Sequence, residues 1–123
     1  MRDDHRATVA VVDDDGAVRD SLRFLLETVG FVVMTFDSAC DFLAATDRHF
    51  STYVLVDQHM PRVTGLDLLE RLREAQITAT IALMTGSPSD ELSERARALG
   101  AHVVLEKPLA EAALLRFLGL GDA

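Results

Sequence analysis

Five short apolar runs, separated by stretches of helical periodicity, limit what this chain can fold into more than any other feature. Residues 8–12, 31–36, 53–56, 80–84 and 102–105 are each apolar almost throughout instead of alternating. A strand with one wet face alternates. A strand covered on both faces does not, and such strands belong to parallel sheets sandwiched between helices. The stretches between them repeat apolar residues three and four apart. Val18, Leu22, Leu25, Leu26 and Val29 form one stripe, which Asp15 can cap and Gly30 stops. Ser38 can cap a short helix through Leu43 and Ala45. Leu66, Leu69 and Leu72 mark a helix over 65–75, and Leu92, Ala96 and Leu99 another over 89–99, ended by Gly100. A last helix over 109–118 turns Leu114, Leu115, Phe117 and Leu118 inward.

Five strand–helix units in succession predict an α/β fold of (βα)5 type. Right-handed crossovers then give a doubly wound, five-stranded parallel sheet in the flavodoxin-like order 2-1-3-4-5. With 123 residues and no linker or repeat, one domain is expected over 1–123, its core at about 8–118. Such a chain buries roughly two-thirds of its unfolded surface, enough for a true core. The balance of 12 basic and 20 acidic residues gives a net charge of −8, with no basic stripe. That excludes direct nucleic-acid binding by this chain, because affinity there rests on neutralising phosphates. Anionic membrane is disfavoured in the same way, and no apolar run approaches the ~18 residues that a span needs. Cys40 is the single cysteine, so no internal disulfide can form. A cytoplasmic location is the expectation.

In doubly wound sheets, ligands sit beyond the carboxyl ends of the strands. Strand one ends in Asp13, Asp14 and Asp15, strand three in Asp57, strand four in Thr85-Gly86 and strand five in Lys107-Pro108. Asp15 reads as the cap of the first helix. Asp13, Asp14 and Asp57 would crowd three carboxylates together, a conflict that a hard divalent cation with oxygen ligands relieves. No glycine-rich phosphate cradle follows strand one, so a bound nucleotide is not expected. A cation, a carboxylate, a hydroxyl and an ammonium on one rim suit phosphoryl transfer onto the carboxylate.

These residues resemble the receiver domain of bacterial two-component response regulators, in the style of its FixJ-like branch. The resemblance runs from about Thr8 to Leu118. It is carried by Val11-Val12-Asp13-Asp14-Asp15, by Val56-Asp57-Gln58-His59-Met60-Pro61 with Gly65 beyond it, by Leu83-Met84-Thr85-Gly86, and by Glu106-Lys107-Pro108-Leu109. It implies that Asp57 accepts a phosphoryl group from a histidine kinase or phosphotransfer protein. It implies Mg2+ as cofactor, held directly by Asp14, Asp57 and the backbone carbonyl of His59, and through water by Asp13. Thr85 and Lys107 would bind phosphoryl oxygens. Phosphorylation would draw Thr85 inward and reshape the face formed by helix four, strand five and helix five, which is also a possible homodimer surface. The product would be a signalling switch with slow self-dephosphorylation, not an enzyme. The resemblance further implies a cis Lys107–Pro108 bond. Where this family places an aromatic three residues before the lysine, the chain has Val104. That departure moves the expected switch to the loop Gly86-Ser87-Pro88. The resemblance places His59, two past Asp57, beside the path that hydrolytic water takes in this family, where it is expected to tune acyl-phosphate lifetime or simply to lie solvated in its loop.

Two other functions fit parts of the pattern. Asp13-Asp14-Asp15-Gly16-Ala17-Val18 matches the opening of haloacid-dehalogenase-like phosphatases, with Asp13 as nucleophile and Asp15 as acid/base. That reading leaves Asp57-x-x-Met60-Pro61 unexplained, and Gly121-Asp122 offers no later strand of metal-binding acids. A docking-only pseudo-receiver is the other alternative. His5, His49 and His102 are scattered, so no transition-metal site is expected.

Overall fold

The computed structural model describes residues 7–45 and 53–120. His5, His49, Gly121 and Asp122 lie outside them. Among the described residues ten elements alternate strictly: β1 (Thr8–Val12), α1 (Gly16–Thr28), β2 (Val32–Phe36), α2 (Ala39–Ala45), β3 (Tyr53–Asp57), α3 (Gly65–Glu74), β4 (Thr80–Thr85), α4 (Asp90–Ala98), β5 (Val103–Glu106) and α5 (Glu111–Phe117). The sheet order is β2-β1-β3-β4-β5 and every neighbouring pair is parallel, as the unbroken apolar strands require.

The sheet separates two cores. On one face Val9, Val11, Leu55, Ala82, Met84 and Leu105 pack against Leu22 and Leu26 of α1 and Leu114 of α5. On the other, Ala10, Val12, Val54, Val56, Ile81 and Leu83 meet Phe42 of α2, the leucines of α3 and Ala96 of α4. Each strand therefore sends alternate residues to two apolar layers, which is why its sequence does not alternate. The aromatic residues hold one corner: Tyr53 meets Phe31 and Phe117 edge-on, at 5.9 and 5.6 Å between ring centres.

The caps at Asp15 and Ser38 fall where the sequence puts them, and Ser89, read as the first residue of its helix, is the N-cap. Asp15 Oδ1 accepts the Ala17 N–H at 2.9 Å, Ser38 Oγ the Asp41 N–H at 3.0 Å, and Ser89 Oγ the Leu92 N–H at 3.0 Å. Gly30 and Gly100 take positive φ, the left-handed turn that ends a helix. Some details differ. Val29 is the C-cap of α1 and exposed, because the helix ends before the stripe can reach it. Strand two starts at Val32, and α5 starts at Glu111 on an Ala110 cap with no side-chain hydrogen bond. Lys107–Pro108 is cis, as expected.

Candidate functional site

The parallel register brings the chemistry together. Val12 pairs with Val56, so Asp13 follows β1 alongside Asp57 at the end of β3. Thr85 pairs with Glu106, and the Lys107 N–H donates to the Thr85 carbonyl at 2.8 Å, so Lys107 leaves β5 at the same rim. Sites separated by 94 residues meet there: Lys107 Nζ lies 2.9 Å from Asp13 Oδ2 and 3.4 Å from Asp57 Oδ1.

Among the described residues, the buried polar side chains are those of Asp13, Asp57 and Thr85, at 0, 3 and 0% exposure. All three belong to this rim. The core is otherwise apolar, and ionised groups in it need partners. Asp13 has them: Oδ2 takes the ammonium and Oδ1 takes the Asp15 N–H at 2.9 Å. Asp57 is held on Oδ1, by the His59 N–H at 3.3 Å and by Lys107. Burial and then the negative charge of Asp13 push the Asp57 carboxyl above its ordinary value, against the opposing pull of Lys107 and of the His59 N–H. Burial alone would lower Lys107. The bond to Asp13 and the charges of Asp13 and Asp57 outweigh it and hold the ammonium above its ordinary value.

Asp14 is exposed, and one carboxylate oxygen from each of Asp13, Asp14 and Asp57 lies within 4.8 Å of the others. Three hard oxygen donors in one cluster fit a divalent cation such as Mg2+. Asp15 is not in that cluster; its carboxylate caps α1. That places it away from the acid/base role that a phosphatase reading would give it.

Gly65 is tied to the site by space. A Cβ there would stand 2.5 Å from Leu83 Cδ1, 2.8 Å from the Asp57 carbonyl oxygen and 2.9 Å from Gln58 Cα. The N-terminus of α3 therefore approaches the end of β3 more closely than any side chain allows. Gln58 reinforces the approach, its Oε1 accepting the Leu66 N–H at 2.9 Å and its carbonyl the Gly65 N–H at 3.1 Å.

Three contacts have no local signal in the sequence. Arg19 reaches back from α1 to the Asp13 carbonyl at 2.7 Å. His59 is exposed, as a solvated loop histidine would be, yet its Nε2 lies 3.1 Å from Thr85 Oγ1. The Ser87 N–H donates to the same hydroxyl at 3.0 Å. An apolar recess of about 460 Å3 adjoins the rim between α1 and the β5–α5 loop, lined in part by Val18, Leu22, Leu25, Pro108 and Leu109. At the β5 edge Leu105 is buried on the α1–α5 side of the sheet, while Ala101 is buried and Val104 packs on the α4 side, so much of the apolar character of β5 serves the interior.

The comparisons agree with this geometry. A family model described as the response regulator receiver domain matches residues 9–118. The transcriptional regulatory protein FixJ of Bradyrhizobium diazoefficiens is 43% identical over 100 residues, covering 81% of this chain and 49% of that protein. The tetrathionate response regulatory protein TtrR of Salmonella typhimurium is 32% identical over 121 residues, covering 95% of this chain and 59% of that protein. The crystal structure of FixJ-N superposes with a TM-score of 0.84 at 31% identity, covering 98% of this chain and 94% of that one. The chain thus spans about half the length of the FixJ relative. With the acidic cluster, the buried hydroxyl and the ammonium all standing on the rim of a 2-1-3-4-5 sheet, this chain belongs to the receiver domain family of two-component response regulators, on its FixJ-like side.

Proposed function

We propose that Asp57 is the phosphoacceptor and that the whole chain, 1–123, works as a single receiver unit. The observation that carries this is the buried Asp57 carboxylate held on Oδ1 beside Asp13, Asp14 and Lys107. Among the described residues both of its partners bind Oδ1, which leaves Oδ2 to attack. As the new P–O bond forms, the P–N bond of a phosphohistidine breaks and the leaving imidazole keeps the electron pair and takes a proton. The product is an acyl phosphate. In such transfers the protein mainly positions groups and stabilises charge. Lys107 supplies a fixed positive charge for one phosphoryl oxygen and Thr85 a hydroxyl for another. Asp14, Asp57 and the His59 carbonyl would hold Mg2+, with Asp13 acting through water, and the bound ion would supply the remaining positive charge.

The phosphodonor is a histidine kinase or a phosphotransfer protein, and the setting is cytoplasmic. Among the described residues no helix is long and apolar enough to cross a membrane. The α4–β5–α5 face carries the response, to a partner or to a second copy of the chain. Self-dephosphorylation is slow, and no small-molecule substrate is turned over. Acetyl phosphate with Mg2+ should add one phosphoryl group to the chain, read by intact mass, and Asp57→Asn should abolish the addition. Full modification of that variant would overturn the assignment.

A further inference from the structure

Thr85 and Asp57 lie on neighbouring strands, and His59 touches the side chains of both. The His59 backbone N–H donates to Asp57 Oδ1 at 3.3 Å, while its ring Nε2 lies 3.1 Å from Thr85 Oγ1. A hydroxyl offers one proton and two lone pairs. The Ser87 N–H takes one lone pair at 3.0 Å. The imidazole takes the proton or the second lone pair, according to its tautomer. In either case two of the three bonding positions are filled, and the buried hydroxyl is tied to the His59 ring on one side and to the β4–α4 loop on the other. A phosphoryl oxygen on Asp57 is an acceptor and needs the Thr85 proton. Where Nε2 accepts, the hydroxyl cannot give its one proton to two acceptors; where Nε2–H donates, the ring still fixes the position of the oxygen, which cannot sit against two groups in different places. Val104 offers no alternative relay, since a partly buried valine packed against the core has no long side chain to follow the hydroxyl.

We propose that the His59 imidazole is the positioning residue that couples Asp57 to Thr85: it holds the hydroxyl in the resting chain and yields it when Asp57 carries a phosphoryl group. The inference rests on Asp57 being the phosphoacceptor. Because the loop amide of Ser87 is bonded to the same oxygen, release at His59 is transmitted directly to Gly86-Ser87-Pro88.

The test uses His59→Ala, His59→Gln and Thr85→Val in the metal-free, unphosphorylated chain. Amide resonances of Gly86 and Ser87 in His59→Ala should move along the line joining the wild-type positions before and after treatment with acetyl phosphate and Mg2+. His59→Gln should bring them back, because a glutamine amide reaches about as far as Nε2. In a double-mutant cycle on urea unfolding, His59→Ala and Thr85→Val should be non-additive by about five-fold or more in the unfolding constant, as for residues in direct contact. Should His59→Ala not fold, Thr85→Val is read from the other side, by displacement of the His59 ring-nitrogen resonance. Additive variants, an unmoved ring nitrogen, or loop amides that respond alike to Ala and Gln overturn the coupling alone. A wild-type chain that takes no phosphoryl group overturns the phosphoacceptor reading, and the coupling with it.

Discussion

Asp13 and Asp57 share one ammonium on unequal terms. Asp13 has two close partners and Asp57 weaker ones, so at Asp57 burial first, and then the charge of Asp13, outweigh the pull of Lys107 and of the His59 N–H. With its folded value raised above the ordinary 3.8, Asp57 holds its proton in the folded chain after the unfolded chain has released it. Stability is therefore lost as pH rises through that window, and the loss is complete above it. Thermal unfolding of the metal-free chain should show this slope, and Asp57→Asn should remove it while raising the midpoint at neutral pH. Lys107, also raised, contributes stability that persists until pH climbs past its ordinary 10.5 and is then lost. Asp13 and Asp14 should separate in a calorimetric Mg2+ titration. Asp14 is exposed and outside the Lys107 bridge, so Asp14→Asn should weaken binding more than Asp13→Asn. From the sequence, removing either acid relieves repulsion. In the folded chain Asp13→Asn also breaks a buried ion pair, so it should destabilise the metal-free chain, whereas Asp14→Asn should not. Equal Mg2+ losses, or equal stability changes, would remove the distinction.

At the scale of elements, strand ends and caps were readable because their causes are local. Aspartate and serine at helix starts bond amides two or three residues on, and glycine turns the chain at helix ends. Gly65 was readable as part of a motif, but its reason was not: the atoms that exclude a Cβ come from β4, the end of β3 and Gln58 just after it. Gly65→Ala must push α3 away from backbone that cannot yield cheaply. Overpacking of this kind costs about 1–3 kcal/mol. The loss should appear in urea unfolding together with slower phosphorylation, since the displaced carbonyl belongs to Asp57 itself. A variant with unchanged stability would mean that α3 has room to shift.

Over the whole molecule, a change at the rim must travel through packed layers that resist continuous deformation. Val104 lies where the core of the α4 side meets β5, and it has no ring to swing. The loop 86–88 carries the backbone freedom, with Gly86 exposed and no atom within 4 Å of where its Cβ would stand. Val104→Tyr should therefore leave acetyl-phosphate labelling of Asp57 nearly intact while changing partner affinity or dimerisation through the α4–β5–α5 face. Relaxation dispersion should place the motion in Gly86-Ser87-Pro88 and the start of α4. A loop unchanged on phosphorylation would leave that face without an input.

The sequence by itself determined the alternation of elements, the parallel sheet and the residues at each strand end, because periodicity and capping act over a few residues. The acidic cluster and Lys107 were legible in the same way: strands of known direction deliver their last residues to one rim. What tertiary structure alone decided is who touches whom there. Lys107 chooses Asp13 over Asp57 by half an ångström, Arg19 folds back onto a carbonyl, and His59 meets a hydroxyl 26 positions away. Such contacts depend on the spacing of strands and the reach of side chains across them, and no short-range pattern encodes a distance between strands.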